Sequence, residues 1–495
     1  MIFLTLLIVL VTIILYLYYT TDYKARRLYN HFKCQGIPFQ SFESPAWALI
    51  KSLIAWGKSS ASNNEVLGDQ TTFGSTLLMN NGLLMINEPD YLVDVLKKYG
   101  TYYNKTDFSR AMLEPIIGIE GLVLSNGMQH KNARKCLNPA FHSIKIKEML
   151  EQMNDITEES IDKWLSAESK KRISMHQELS VLVTKILMQV LFDNDHRRSD
   201  SEMIKVIGLF EKAINIIYYR VSYLSFAFLW LCNWPICQKS VVDKCNKDLL
   251  AFIEQIIFGR QTNKTNKDDL LNLLLSPKNG FTDKQIREQI LSFVVAGHDT
   301  VATLLSWAIF ILMTKPTIYE ACRNEVDTVL IGKKPDYDQL NKLKIINAVI
   351  YETLRMYVPI PLIMRECVQE HFIGPHDRKQ IHMPRGAIIG CYIPTIHHSS
   401  KYWRDPEEFD YTRWMEDENG NPPKLAHPCC FLPFAAGNRN CIGQTYAIQE
   451  AITILAMMIQ RLNFEIVPEQ EIVCGTMVTQ KPKYDILVDI SKRSN

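Results

Sequence analysis

From Thr282 to Thr314 the chain reads as one long helix, and a helix of that length sets the size of whatever folds around it. Thr282 with Gln285 three residues on makes a capping box, and Pro316 lies just past the end. At about 1.5 Å per residue the span is roughly 50 Å, enough to cross a whole domain. Segments able to cover it are present. Leu150–Leu165, Gln177–Phe192, Glu202–Ile217 and Val241–Phe258 carry apolar residues at helical spacing with few Gly or Pro. Strand-like runs cluster at Thr76–Ile86 and Arg385–Ile396, and Gln261–Asp269 is a polar loop candidate. The pattern predicts a mainly α fold with small β-sheets, an α+β body.

Composition narrows the class. Of 495 residues, 47% are hydrophobic and 22% charged, which excludes a mostly disordered chain. A formal net charge of +2 gives no case for a nucleic-acid partner. The cysteines spread from Cys34 to Cys474 with no zinc-like spacing, and read as reduced thiols facing the cytosol.

The N-terminus carries a second signal. Met1–Tyr19 has no charged side chain, Tyr16, Tyr18 and Tyr19 close the run, and Lys24, Arg26 and Arg27 follow. Such a run is near the length of about 20 residues that spans a bilayer, and the basic flank places the remainder on the cytosolic side. The expected organisation is an anchor over residues 1–20, a linker over 21–40 and a catalytic domain over 41–495. A further apolar stretch, Val221–Cys237, reads equally as core or as a lip dipping into the bilayer surface.

Three constellations carry chemistry. The middle of the long helix reads Ala296-Gly297-His298-Asp299-Thr300. A glycine there suggests a locally widened groove beside a ligand, with a carboxyl and a hydroxyl able to relay protons. Glu352 and Arg355 share one helix face, and Arg413, next to Trp414, offers the same carboxylate a second guanidinium, a structural lock. Near the C-terminus stand Phe434, Gly437, Arg439, Cys441 and Gly443, followed by a helical pattern from Ala447 to Leu462. Cys441 at a helix start favours thiolate, and the glycines allow close approach to something flat. A single thiolate in this frame suits an axial ligand to haem iron better than zinc, which takes four partners.

With these motifs in this order the chain resembles the cytochrome P-450 superfamily, in its membrane-anchored eukaryotic form. The resemblance covers the chain after the anchor and is carried by 296–300, 352–355, 409–414 and 434–443. It implies one mainly helical domain with non-covalent haem b between the long helix and the Cys441 loop. Cys441 would be the proximal thiolate, with Phe434, Gly437, Gly443, Ala296 and Gly297 around the ring. Thr300 and Asp299 would be catalytic, managing protons for bound dioxygen. Arg439, Arg365 and Arg134 would pair with the propionates, joined by His130 where the family usually has tryptophan. Tyr411 replaces the proline usual before Thr412-Arg413-Trp414, which points to a less rigid loop. His397–His398 matches a family position with a structural role.

The implied reaction is insertion of one atom of O2 into a lipophilic substrate, by hydroxylation or epoxidation. Electrons would come from NADPH through cytochrome P-450 reductase, with cytochrome b5 as a second donor, at the endoplasmic reticulum membrane. Lys135 and Lys424 are candidates to meet an acidic reductase, or are solvated surface charges. The competing reading is a haem-thiolate isomerase or dehydratase acting on peroxides without O2 or NADPH. The text around Pro139–His142 and Gly297–Thr300 is similar to the fatty-acid-hydroxylating group, although Ala296 stands where many of that group have a haem-esterified glutamate.

Overall fold

The computed structural model describes residues 23–37, 39–40, 72–74, 83–166, 170–192, 199–224, 238–262, 269–417, 419–475 and 478–493, together with Thr12 and Pro235. The expected anchor over 1–20 apart from Thr12, most of 221–237 and positions 263–268 lie outside the described residues.

The helices that frame the site are α1 (Lys24–Cys34), α2 (Asp107–Ile117), α3 (Gly127–Leu137), α4 (Ser143–Leu165), α5 (Met175–Leu191), α6 (Asp200–Leu224), α7 (Lys239–Thr262), α8 (Asp283–Thr314), α9 (Pro316–Leu330), α10 (Lys344–Met356) and α11 (Gln444–Arg461). Each helix read from periodicity is present, and several begin a few residues before their apolar pattern. The periodic signal stops with the last core contact, while the backbone continues to its cap.

Helix α8 is the axis. Thr282 accepts from the Gln285 N–H and the Gln285 side chain accepts from the Thr282 N–H, so the expected capping box is closed. Ile290, Ala302, Thr303, Leu304, Ser306 and Trp307 point to different sides of α8, and all are buried. A helix with no solvated face is enclosed on all sides. By length and hydropathy α8 would also pass as a membrane span, but its most apolar window is 67% buried within the protein, which makes it a core helix. Helices α5, α10 and α11 pack along it.

A second hydrophobic core lies under the largest sheet and includes Leu84, Ile86, Leu92, Ile389, Cys391, Trp403, Cys429 and Cys430. That sheet has six strands: β1 (Phe39–Gln40), β2 (Thr72–Gly74), β3 (Leu83–Met85), β4 (Tyr103–Asn104), β6 (Leu362–Cys367) and β9 (Ile388–Tyr392), in the order β1-β2-β3-β9-β6-β4. A three-stranded sheet pairs β10 (Leu462–Ile466), β11 (Leu487–Lys492) and β5 (Lys170–Ser174), and β7 (His371–Ile373) pairs with β8 (Ile381–Met383). The described cysteines are all free thiols.

Two differences from the sequence reading have physical causes. The strand-like run Arg385–Ile396 is strand only over Ile388–Tyr392; Pro394 then sits in the first turn of a short helix, Ile393–His397, where its missing N–H costs nothing. The expected linker over 21–40 contains α1, which is docked. Leu28 and Phe32 are buried, and the Gln35 side chain accepts from the His382 N–H at 2.7 Å and donates to the His382 carbonyl at 3.2 Å.

Candidate active site

The Cys441 loop is held in place by α3. Arg134 donates to the Asn440 carbonyl at 2.6 Å and to the Asn438 carbonyl at 3.3 Å, and also bonds Asn440 Oδ1. Arg439 reaches the other way, to the Ser125 carbonyl at 2.6 Å and Asn126 Oδ1 at 2.9 Å. Within the loop the Cys441 N–H donates to the Phe434 carbonyl at 2.9 Å. Phe141 joins loop to axis, stacking on Phe293 of α8 at 5.4 Å and meeting Tyr446 of α11 edge-on at 6.4 Å.

Cys441 does not open a helix, as its position in the sequence suggests. Helix α11 begins at Gln444 with Gly443 as its N-cap, so the sulfur lies just outside the first turn. Burial pushes the thiol up, although the Gly443 N–H and the Arg134 charge pull the other way. The helix end alone therefore does not secure a thiolate; a bound metal would. The side chain is nonetheless accessible, as is Ala296 on α8, within an otherwise enclosed interior. Accessible atoms deep in a core line a cavity.

Positive charge gathers at that cavity. His130, Arg134, Arg365 and Arg439 interact there, together with Lys105, which the sequence reading missed. Burial, then mutual repulsion, lowers Arg439 to about 10; burial lowers Arg365 to about 10 and holds Lys105 well below the usual lysine range. His130 is pushed down to about 3 by burial first and then by Arg439 and the other cations, so it is held neutral rather than poised to titrate. Among the described residues no carboxylate lies within ion-pair distance of Lys105, Arg365 or Arg439. Buried like charges without a partner are costly, and a dianionic group among them removes the cost. A flat macrocycle carrying two carboxylates, with a cysteine on its axis, fits this donor set. No spacing rule singles out Lys105; its signal is only that it follows β4.

The α8 motif behaves differently from its sequence reading. Gly297 does not widen a groove: a Cβ there would lie 2.8 Å from Leu187 Cδ1, so the glycine lets α5 and α8 approach closely. Thr300 Oγ1 donates to the Ala296 carbonyl at 2.9 Å. Asp299 is anchored by residues the sequence did not point to. His176 Nε2 donates to its Oδ1 at 3.2 Å, Thr479 to its Oδ2 at 2.6 Å, and Lys481 lies 3.4 Å from Oδ1. Burial pushes the Asp299 carboxyl up, but the bond from His176 and the charges of His298 and Lys481 outweigh it and hold the group well below the usual range.

The Glu352–Arg355 pair is fully enclosed. Arg355 makes a two-pronged contact at 2.8 and 2.9 Å, Arg413 Nε lies at 3.3 Å, and the Trp414 indole and Asp410 N–H donate at 2.9 and 3.0 Å. Arg355 also donates to the carbonyls of His397, Pro406 and Glu408. At Tyr411, where the loss of the family's usual proline pointed to a less rigid loop, the Asp410 carboxylate accepts from the Thr412 N–H at 3.0 Å and caps the turn. His397 is buried in the same region. Its Nδ1 donates to the Arg355 carbonyl and its Nε2 accepts from the Leu432 N–H, each at 2.9 Å.

A haem-cradle geometry on a helical body with a cysteine loop defines a class, and comparison with known proteins agrees. The Cytochrome P450 family model matches residues 70–488, and this chain belongs to that family. It is 31% identical to Cytochrome P450 4A10 of Rattus norvegicus over 406 residues, covering 78% of this chain and 76% of that protein. It is 29% identical to Cytochrome P450 4F12 of Homo sapiens, with 78% and 76% covered, and 28% identical to 11-oxo-beta-amyrin 30-oxidase of Glycyrrhiza uralensis, with 83% and 78% covered. The crystal structure of the cytochrome P450DA heme domain superposes with a TM-score of 0.70 at 23% identity, covering 83% of this chain and 88% of that one, which supports the fold. The protein is accordingly a haem-dependent monooxygenase acting on lipophilic substrates.

Proposed function

We propose that Cys441 is the axial ligand, that Lys105, Arg134, Arg365, Arg439 and neutral His130 hold the propionate side, and that Asp299 and Thr300 move protons. The observation that carries this reading is the convergence of buried, carboxylate-free cations beside an accessible cysteine. Bound in this cradle, haem supplies the activation of dioxygen. The chain supplies the rest. Arg134 fixes the loop that carries the Cys441 sulfur, and the arginines would orient the ring through charge-assisted bonds. Phe434, whose carbonyl accepts from the Cys441 N–H, would shield one side of the sulfur. Thr300 Oγ1, now donating to the Ala296 carbonyl, can turn to pass a proton, and Asp299 one residue earlier resupplies it. Glu352, Arg355 and Arg413 hold the loops beneath.

Electrons come from NADPH through a separate reductase, with cytochrome b5 as an additional donor. Support for the docking side is exposed Lys97, Lys98, Lys131 and Lys135, carried by segments that touch the Cys441 loop; exposed Lys424 is a further candidate. The apolar run over 1–20 makes the protein a single-pass resident of the endoplasmic reticulum membrane with its catalytic domain in the cytosol. Ala296 offers no carboxylate to esterify haem, so the group is held non-covalently. The substrate is a lipophilic molecule whose pocket is walled in part by residues around 108–124, 215–223 and 293–300.

The test is the carbon-monoxide difference spectrum of the reduced, full-length protein in detergent. A strongly red-shifted Soret band, lost in Cys441→Ala, is the expected result. An unchanged spectrum in Cys441→Ala would overturn the ligand assignment.

A further inference from the structure

Two neighbours on α6 meet two neighbours on α8. Phe210, 3% exposed, stacks on the His298 ring with centroids 5.7 Å apart and planes 25° from parallel. Glu211 reaches Asp299 through a third residue. Lys481 Nζ donates to Glu211 Oε1 at 2.8 Å and lies 3.4 Å from Asp299 Oδ1. One ammonium serves two carboxylates, and the shorter bond goes to α6. The two acids differ in setting: the Glu211 side chain is 46% exposed and that of Asp299 16%. Attraction is screened less at the enclosed end, so an ammonium released by Glu211 falls toward Asp299. Lys481 stands next to an isolated antiparallel bridge between Cys474 and Pro482, and Thr479, two residues before it, also donates to Asp299. His176, from α5, is the fixed contact on the other side.

We propose that Lys481 is a positioning residue that couples the seating of α6 to the freedom of the Asp299 carboxylate. With α6 seated, Glu211 holds the ammonium, and Asp299 has Lys481 only at long range beside its bonds from His176 and Thr479, which leaves one fewer contact to break before it turns toward Thr300. With α6 lifted, Lys481 closes on Asp299 and immobilises it. Proton delivery is then favoured while Glu211 holds the Lys481 ammonium. This rests on the proposed roles of Asp299 and Thr300.

The readout needs no substrate. When two electrons reach dioxygen and the product escapes, NADPH + H+ + O2 gives NADP+ + H2O2. When protons are delivered promptly, 2 NADPH + 2 H+ + O2 gives 2 NADP+ + 2 H2O. The fraction of NADPH recovered as peroxide, measured on the holoenzyme with reductase, therefore reports proton delivery. Glu211→Gln should raise that fraction about twofold. Lys481→Met should leave it at or below the wild-type level and cancel the effect of Glu211→Gln in the double variant, and Lys481→Arg should behave as wild type. Hydrogen–deuterium exchange of residues 205–215 in the ferric holoenzyme supplies the second readout. Both single variants lose the same ion pair and should loosen that segment alike, so a merely structural role predicts equal peroxide from both. Equal peroxide, or a Glu211→Gln effect that persists without Lys481, overturns the proposal. Asp299→Asn separates the layers. If it leaves the peroxide fraction unchanged, the proton-moving role of Asp299 fails; if it raises the fraction while Glu211→Gln does not, only the coupling fails.

Discussion

Gly437 packs so tightly on Leu96 that a Cβ at position 437 would sit 1.7 Å from the Leu96 carbonyl oxygen, and its φ is +74°. The neighbouring backbone, which cannot rotate away as a side chain could, forbids any substituent. Gly437→Ala should therefore give protein that does not load haem. Gly127, with φ +55° and nothing near its Cβ direction, is the matched control. Gly127→Ala meets only left-handed strain, roughly 1–2 kcal/mol, and should keep its haem. The measurement is haem per polypeptide after purification; equal loading of both variants would count against the close contact.

Lys105 tests the charge argument at the cradle. Charge-assisted hydrogen bonds contribute about 1.5–3 kcal/mol each, so Lys105→Met should release haem at least tenfold faster in transfer to apomyoglobin. A release rate equal to wild type would remove Lys105 from the propionate side.

The Glu352 cluster predicts an asymmetric cost. Glu352→Gln leaves the fully buried Arg355 without its counter-charge, a change of about 3–5 kcal/mol. Arg413→Leu removes a partner whose side chain is 12% exposed and leaves Arg355 in place. The expected result in urea is severe destabilisation for the first and a clearly smaller loss for the second. A reversed order would show that Arg355 is not the charge that needs compensation.

His397 carries a pH dependence whose sign follows from its burial. Burial first, and then the Arg355 charge, push it down to about 3, against about 6.5 when unfolded. As pH falls the unfolded chain takes up the proton first. Its contribution to stability is complete above about pH 6.5 and declines toward pH 3, by up to about 1.4 kcal/mol per pH unit. His397→Gln should be less stable at neutral pH yet lose stability less steeply on acidification, by about one proton. Parallel slopes would show that His397 is not the group responsible.

The long helix, its capping box, the covering helices and the cysteine loop were all legible in the sequence because each is local. Periodicity and caps act over a few residues, and the loop residues are contiguous. What the sequence hid is what folding brings together from afar. Lys105 reaches the cradle from β4, and His176, Thr479 and Lys481 reach Asp299 from two other elements, with no spacing to announce them. Gly297 was misread for a related reason. A glycine inside a helix says that something comes close, and whether that is a ligand or Leu187 depends on the element packed opposite. The linker over 21–40 was misread because α1 shows few apolar residues, while its docking runs through the Gln35 amide and the His382 backbone.

The bond between Arg134 and the Asn440 carbonyl joins residues 306 positions apart. During synthesis the upstream half of the cradle, Lys105 through Arg134, leaves the ribosome long before the loop that carries Cys441 exists. The nascent chain can therefore collect repelling cations but cannot grip the prosthetic group. A chain stopped before that loop would carry the cations of the cradle without its cysteine.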